Sequence, residues 1–148
     1  MTRLLLDAML GRLRSYLRIC GHDTAYALDR GIEADDRIAA LAREESRRLL
    51  TRDRSLAGRV EGSVLLESHD YRDQLCELRE AGVALDPATP DRCRCGRCNG
   101  RLERSPDGAD RPDYVPDDAG PVRACVDCGQ LFWQGSHWDR VTETLAGL

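Results

Sequence analysis

The sequence predicts an α/β domain followed by a small metal-binding module, and three observations carry that expectation. Short apolar runs (Leu4-Leu5-Leu6, Leu49-Leu50, Val64-Leu65-Leu66) alternate with stretches whose apolar residues recur at helical spacing. This is the pattern of a mostly parallel sheet with helices packed on it. Five of the seven cysteines fall between Cys93 and Cys128. Between the two parts Pro87 and Pro90 mark a linker near residues 86–91, so residues 1–85 and 92–148 are expected to form separate units.

The elements follow in order. Arg3-Leu4-Leu5-Leu6 reads as a buried strand ending at Asp7. From Ala8 to Cys20, Leu10, Leu13, Leu17 and Cys20 form a helical stripe that leaves Arg12, Arg14 and Arg18 outside it, and Gly21 stops the helix. His22 to Leu28 reads as a second strand, followed by a loop through Gly31. Asp35 is expected as the N-cap of a helix with Asp36 in its first turn and Ile38, Leu41 and Ala42 on its apolar face. Arg48-Leu49-Leu50-Thr51 is a third strand, ending at Arg52-Asp53. A short helix over Ser55–Arg59, a strand over Ser63–Leu66 and a helix from Tyr71 to Ala81 stopped by Gly82 complete the first part.

Composition narrows the function. With 148 residues, 41% hydrophobic and 32% charged, the chain can build one modest core. No apolar run approaches the roughly 18 residues of a membrane span, and the apolar opening stops at Asp7, short of a signal peptide's core; a cytoplasmic protein is expected. All 22 basic residues are Arg. The absence of Lys excludes Walker-type phosphate loops, Schiff-base enzymes and phospho-receivers, and no G-x-S-x-G, Gly-rich phosphate loop or H-E-x-x-H occurs. Residues 1–60 hold 12 Arg against 9 acids, whereas residues 61–148 hold 10 against 17. At a net charge of −4, a nucleic-acid partner must therefore be met by a local patch.

Cys95-x-x-Cys98 and Cys125-x-x-Cys128 are two C-x-x-C pairs, each followed by residues that tolerate positive φ: Asn99-Gly100 in one, Gly129 in the other. Such turns let paired thiolates face one tetrahedral Zn²⁺, and two of them make a zinc ribbon. Four thiolates leave no open coordination position, so the expected zinc is structural. Cys93 is left as a spare thiol, Cys20 and Cys76 read as small core residues, and His137 is expected to order the ribbon's packing.

Asp7 and Asp53 each follow a buried run, and Asp35 and Asp36 open the helix after the second strand, so all four are expected at the carboxyl edge of the sheet. Carboxylates converging there suit Mg²⁺ or Mn²⁺, which can activate water against a phosphodiester. Arg12 and Arg52 stand where they would contact the phosphate backbone. On position alone a structural reading has equal standing: Asp7 and Asp36 satisfying helix N-termini, Asp35 a cap, Asp53 opening a turn. Glu45, on the buried side of its helix, is expected to pair with an Arg rather than join the metal.

The strings Leu6-Asp7-Ala8-Met9-Leu10-Gly11-Arg12-Leu13 and Leu49-Leu50-Thr51-Arg52-Asp53, then the two C-x-x-C pairs and Trp133-Gln134-Gly135-Ser136-His137-Trp138, run in one order over nearly the whole chain. Together they resemble the Mut-seven C-terminal RNase domain family, a PIN-like nuclease fold with a C-terminal zinc ribbon. The resemblance implies a metal-dependent ribonuclease. Asp7 matches the acid after the first strand, Asp35/Asp36 the acid opening the second helix, and Asp53 the acid of the T-R-D motif. Cys95, Cys98, Cys125 and Cys128 match the ribbon ligands. The R-C pair is duplicated at Arg92-Cys93-Arg94-Cys95, and the fourth acid of full PIN domains has no clear counterpart, Asp70 and Asp73 being the candidates. A non-catalytic RNA-binding or adaptor module of the same fold is the alternative, and a toxin-like nuclease neutralised by a partner ranks third.

Overall fold

The structure is a computed structural model that describes residues 2–105 and 111–148. Four parallel strands, β1 (Arg3–Leu6), β2 (Asp23–Tyr26), β3 (Arg48–Thr51) and β4 (Val64–Leu65), form a sheet in the order β2-β1-β3-β4. The central strands carry continuous leucine runs, Leu4–Leu6 and Leu49–Leu50, because both faces are covered. Leu4, Leu6 and Leu50 point into one core with α1 (Arg14–Ile19) and α4 (Tyr71–Glu80). Leu5 and Leu49 point into the other with α2 (Asp35–Glu44) and α3 (Arg54–Ala57).

Three sequence expectations are corrected. The helix expected from Ala8 to Cys20 is a 3-10 turn over Ala8–Leu13, broken at Leu10, that runs into α1. The tight winding lets the Tyr26 hydroxyl donate to the Ala8 carbonyl and brings the Tyr26 ring against Gly11, where a Cβ would stand 2.8 Å from the phenol oxygen. Second, the N-cap of α2 is Ala34, not Asp35; Asp35 and Asp36 lie inside the first turn and neither caps it. Third, β2 is only four residues, because a 3-10 turn over Ala27–Arg30 ends it and closes on Gly31 at φ 66°.

A second sheet, antiparallel β5 (Leu102–Arg104), β6 (Arg123–Cys125) and β7 (Leu131–Phe132), follows the linker. The chain ends in α5 (Ser136–Ala146), which the sequence reading did not identify. Its Val141 and Leu145 are buried in the Leu4/Leu6/Leu50 core, so the last helix covers the first sheet rather than the second. Trp138, at the start of the same stripe, lies edge-on to Phe132 and packs against the cysteine cluster as well. It, not the exposed His137, orders that packing. Among the described residues no helix is long and apolar enough to cross a membrane.

Candidate active site and metal centre

The sulfurs of Cys95, Cys98, Cys125 and Cys128 all lie within 4.8 Å of one another. The Cys95–Cys128 and Cys98–Cys125 separations are 3.7 and 3.5 Å. A Zn–S bond of about 2.3 Å sets a tetrahedral edge of about 3.8 Å, so the donor type and the spacing both fit a structural metal such as zinc. The turns that gather the thiols use the residues expected. Asn99 takes φ 73° and Gly129 φ 75°. Gly100 is required for space instead, since a Cβ there would stand 2.5 Å from the Cys125 sulfur. Burial raises the Cys125 thiol, but the N–H groups of Cys128 and Asp127 aimed at it outweigh that and bring it down to about 7. Cys93 is outside the group: buried, it donates to the Ile19 carbonyl, and burial holds it at about 11.

This unit is fastened to the edge strand β2. Asn99 accepts from the Thr24 N–H with Oδ1 (2.8 Å) and donates to Asp23 with Nδ2 (2.6 Å), so the residue that makes the turn also covers an otherwise open sheet edge. Arg18, 1% exposed, donates to the Thr24 carbonyl and, at 2.8 Å, to the Gly96 carbonyl. Asp23, 8% exposed, receives Arg47 and Arg94 at 2.8 Å each. Burial pushes its carboxyl up, but Arg47, Asn99 and the Arg94 charge overcome this and leave it below the ordinary value. None of Asp23, Arg18 and Asn99 stood out in the sequence as a fastening. A polar side chain inside an apolar strand or helix was the available signal.

At the opposite, carboxyl edge, β1 and β3 place Asp7 and Asp53 on adjacent strand ends. Fully buried Thr51 connects them: its hydroxyl donates to Asp7 Oδ2 at 2.7 Å and accepts from the Asp53 N–H at 3.0 Å. The other Asp7 oxygen accepts from the Ala8 N–H, and Asp53 accepts from the Leu56 N–H as the N-cap of α3. Asp7 therefore satisfies a helix N-terminus, as the structural reading expected, with one bond to each oxygen, while Asp53, expected to open a turn, caps α3 through Oδ1. Among the described residues neither has an arginine partner. Thr51 was visible only as part of the T-R-D string.

The remaining predicted residues divide. Asp35 and Asp36 are exposed at the first turn of α2, and Asp36 is ion-paired with Arg59. Among the described residues the four cysteines alone meet the 4.8 Å span, so three carboxylates do not close on one point. Arg52 lies against the His69 ring, with a buried Nε that has no partner. Arg12 lies with its guanidinium carbon 3.8 Å from the centre of the Tyr71 ring. Glu45 pairs with Arg30 and Arg47, which hold its carboxyl at about 2. Asp70 caps α4 through the Arg72 N–H.

The protein is thus of the α/β class, a parallel sheet covered on both faces, with two acids at its carboxyl edge and a cluster of four cysteines suited to a structural metal. The model for the Mut7-C RNAse domain matches residues 2–145, and the chain belongs to that family. The family's function is of nuclease type with RNA as its implied substrate. No curated protein and no solved structure gives a significant match to the chain.

Proposed function

We propose that the protein is a metal-dependent ribonuclease that hydrolyses RNA phosphodiester bonds at the Asp7/Asp53 edge. The observation that carries this is the arrangement of those two acids at adjacent strand ends: one buried hydroxyl donates to the Asp7 carboxylate and accepts from the Asp53 N–H, and among the described residues neither carboxylate is paired with an arginine. Hard oxygen donors so placed suit Mg²⁺ or Mn²⁺. A divalent cation bound there supplies an activated water and offsets charge on the phosphate.

The chain's own residues do the rest. Thr51 holds the Asp7 carboxylate in place through its hydrogen bond to Oδ2. Arg52 presents the NH2 end of its guanidinium beside the His69 ring, in an exposed setting where a phosphate oxygen can reach it. Asp36 joins the site by exchanging Arg59 for the cation, and Asp35 is its neighbour on the same turn. The four cysteines hold structural zinc, with residues 1–85 as the nuclease unit and 92–148 as the ribbon module that lends α5 back to it. All seven thiols are free, which suits a cytoplasmic setting.

The engagement of Asp36 by Arg59 favours one alternative, an RNA-binding or adaptor module without a competent cation site. Titration with Mn²⁺, read by electron paramagnetic resonance on zinc-loaded protein, separates the two. The ribonuclease reading expects one saturable Mn²⁺ site that Asp7→Asn removes. Mn²⁺ uptake that is absent, or is the same in Asp7→Asn, favours the adaptor.

A further inference from the structure

We infer that Arg12 and Tyr71 form a stacking platform for an unpaired RNA base, laid beside the Asp7/Asp53 edge. The inference deepens the ribonuclease reading and rests on it for the identity of the ligand. It names single-stranded RNA as the substrate form and gives Arg12 a role other than a simple phosphate contact.

Tyr16, Tyr71 and Arg12 form a column at the margin of the Leu4/Leu6/Leu50 core, against which both tyrosines pack. Tyr16 of α1 and Tyr71 at the first position of α4 stack at 5.6 Å and 27°. The Arg12 guanidinium lies on Tyr71 at 3.8 Å, close enough for full contact with the ring. Arg72 donates to the Tyr71 hydroxyl at 3.3 Å and adds a second cation at the ring's edge. Arg12 is nevertheless exposed, and among the described residues no carboxylate pairs with it. A long flexible side chain is thus held over the ring without an ion pair among the described residues, and its exposure leaves it accessible to a base.

Position gives the platform its ligand. Arg12 belongs to the 3-10 turn that Asp7 caps, and Tyr71 follows Asp70 at the carboxyl edge beyond β4. A strand with its phosphate near the acids would therefore have a neighbouring base within reach of the column. Nucleobases stack on guanidinium planes as they do on aromatic rings, and only unpaired bases expose a face to do so. Met9, on the same turn, is 73% exposed and offers a soft apolar neighbour. Tyr71 is then a positioning residue that acts through Arg12.

The test uses zinc-loaded full-length protein without Mg²⁺ or Mn²⁺ and a short single-stranded RNA carrying one 2-aminopurine. Arg12→Ala and Tyr71→Leu should each weaken binding about tenfold and remove the 2-aminopurine quench, whereas Tyr71→Phe keeps both within about twofold. Arg140→Ala, one exposed charge removed on α5, is the control for net charge. An abasic nucleotide at the probe position should erase the difference between wild type and Arg12→Ala. The inference is overturned if Arg12→Ala costs no more than Arg140→Ala, if its effect persists at the abasic site, or if wild type does not bind the RNA. Mn²⁺-dependent cleavage unaffected by Arg12 and Tyr71 would leave the ribonuclease reading standing and this one fallen. Tyr71-dependent stacking without cleavage would do the reverse.

Discussion

At the amino end of the parallel sheet Asp23 is enclosed by Arg47, Arg94 and Asn99, whereas at the carboxyl end the Thr51 hydroxyl links the Asp7 carboxylate to the Asp53 N–H and, among the described residues, no guanidinium pairs with either acid. The residue type is the same, and so is the distance from a strand terminus of at most one or two residues. What differs is how completely the surroundings satisfy the carboxylate. Asp23 is spent on holding the ribbon to the sheet, so its charge is neutralised inside the protein. Asp7 and Asp53 are oriented by backbone amides and Thr51, and among the described residues neither is paired with a guanidinium.

The comparison can be broken most severely at the ribbon. Removing the metal with a chelator, or replacing Cys98 with Ser, should unfold the second sheet, because structural zinc sites contribute on the order of 10 kcal/mol to folding. Arg18, Arg94 and Asn99 tie that unit to β2, so the loss should spread and lower the thermal midpoint of the whole chain. Metal analysis alongside circular dichroism checks this; an unchanged melt in metal-free protein would contradict it. Next in size, Asp23→Ala takes the anion from Arg94, leaves Arg47 only its Glu45 partner, and should cost about 3 kcal/mol in denaturant unfolding. A cost below about 1 kcal/mol would show that the amino-end cluster is not the fastening. Asn99→Gly keeps the left-handed turn but loses the bonds to Thr24 and Asp23, and should cost about 2 kcal/mol with zinc content retained.

The smallest effect is a pH dependence. His22 accepts from the Thr2 N–H through Nδ1 and donates through Nε2 to the Ala84 carbonyl, and burial holds its pKa below the ordinary 6.5. The unfolded chain therefore binds the proton first. The His22 contribution is complete above about pH 6.5 and is lost as pH falls below that towards the folded value. Unfolding curves at pH 7.5 and 5.5 should show a drop that His22→Gln lacks; an equal drop in both would remove the assignment.

Much of this was legible in the sequence. The leucine runs specified the strands because a sheet covered on both faces needs no polar alternation, and the C-x-x-C pairs specified the metal unit because tetrahedral thiolate geometry demands that turn. The 3-10 winding after Asp7 was not legible, since it depends on the Tyr26 ring and hydroxyl, which reach it only once β2 is in place. Helix α5 escaped notice because its stripe is brief, with Trp138, Val141 and Leu145 alone, and its partner surface lies at the other end of the chain. The acids were found by position at strand ends, but their different employment was not. Asp36 and Asp53 look alike in sequence, and only the fold brings Arg59 to one and leaves the other bare.

The most direct measurement is cleavage of labelled single-stranded RNA with added Mn²⁺ by zinc-loaded wild type and by the Asp7→Asn/Asp53→Asn double variant. Asparagine retains the oxygen that accepts from the Ala8 and Leu56 amides, while its NH2 replaces the Asp7 oxygen that accepts from Thr51, so the variant should stay folded at a cost of about 1–3 kcal/mol. The account predicts cleavage by wild type that is lost, by a factor of about a hundred or more, in the folded variant. Equal cleavage by both proteins, or none by a folded, zinc-loaded wild type, would contradict it.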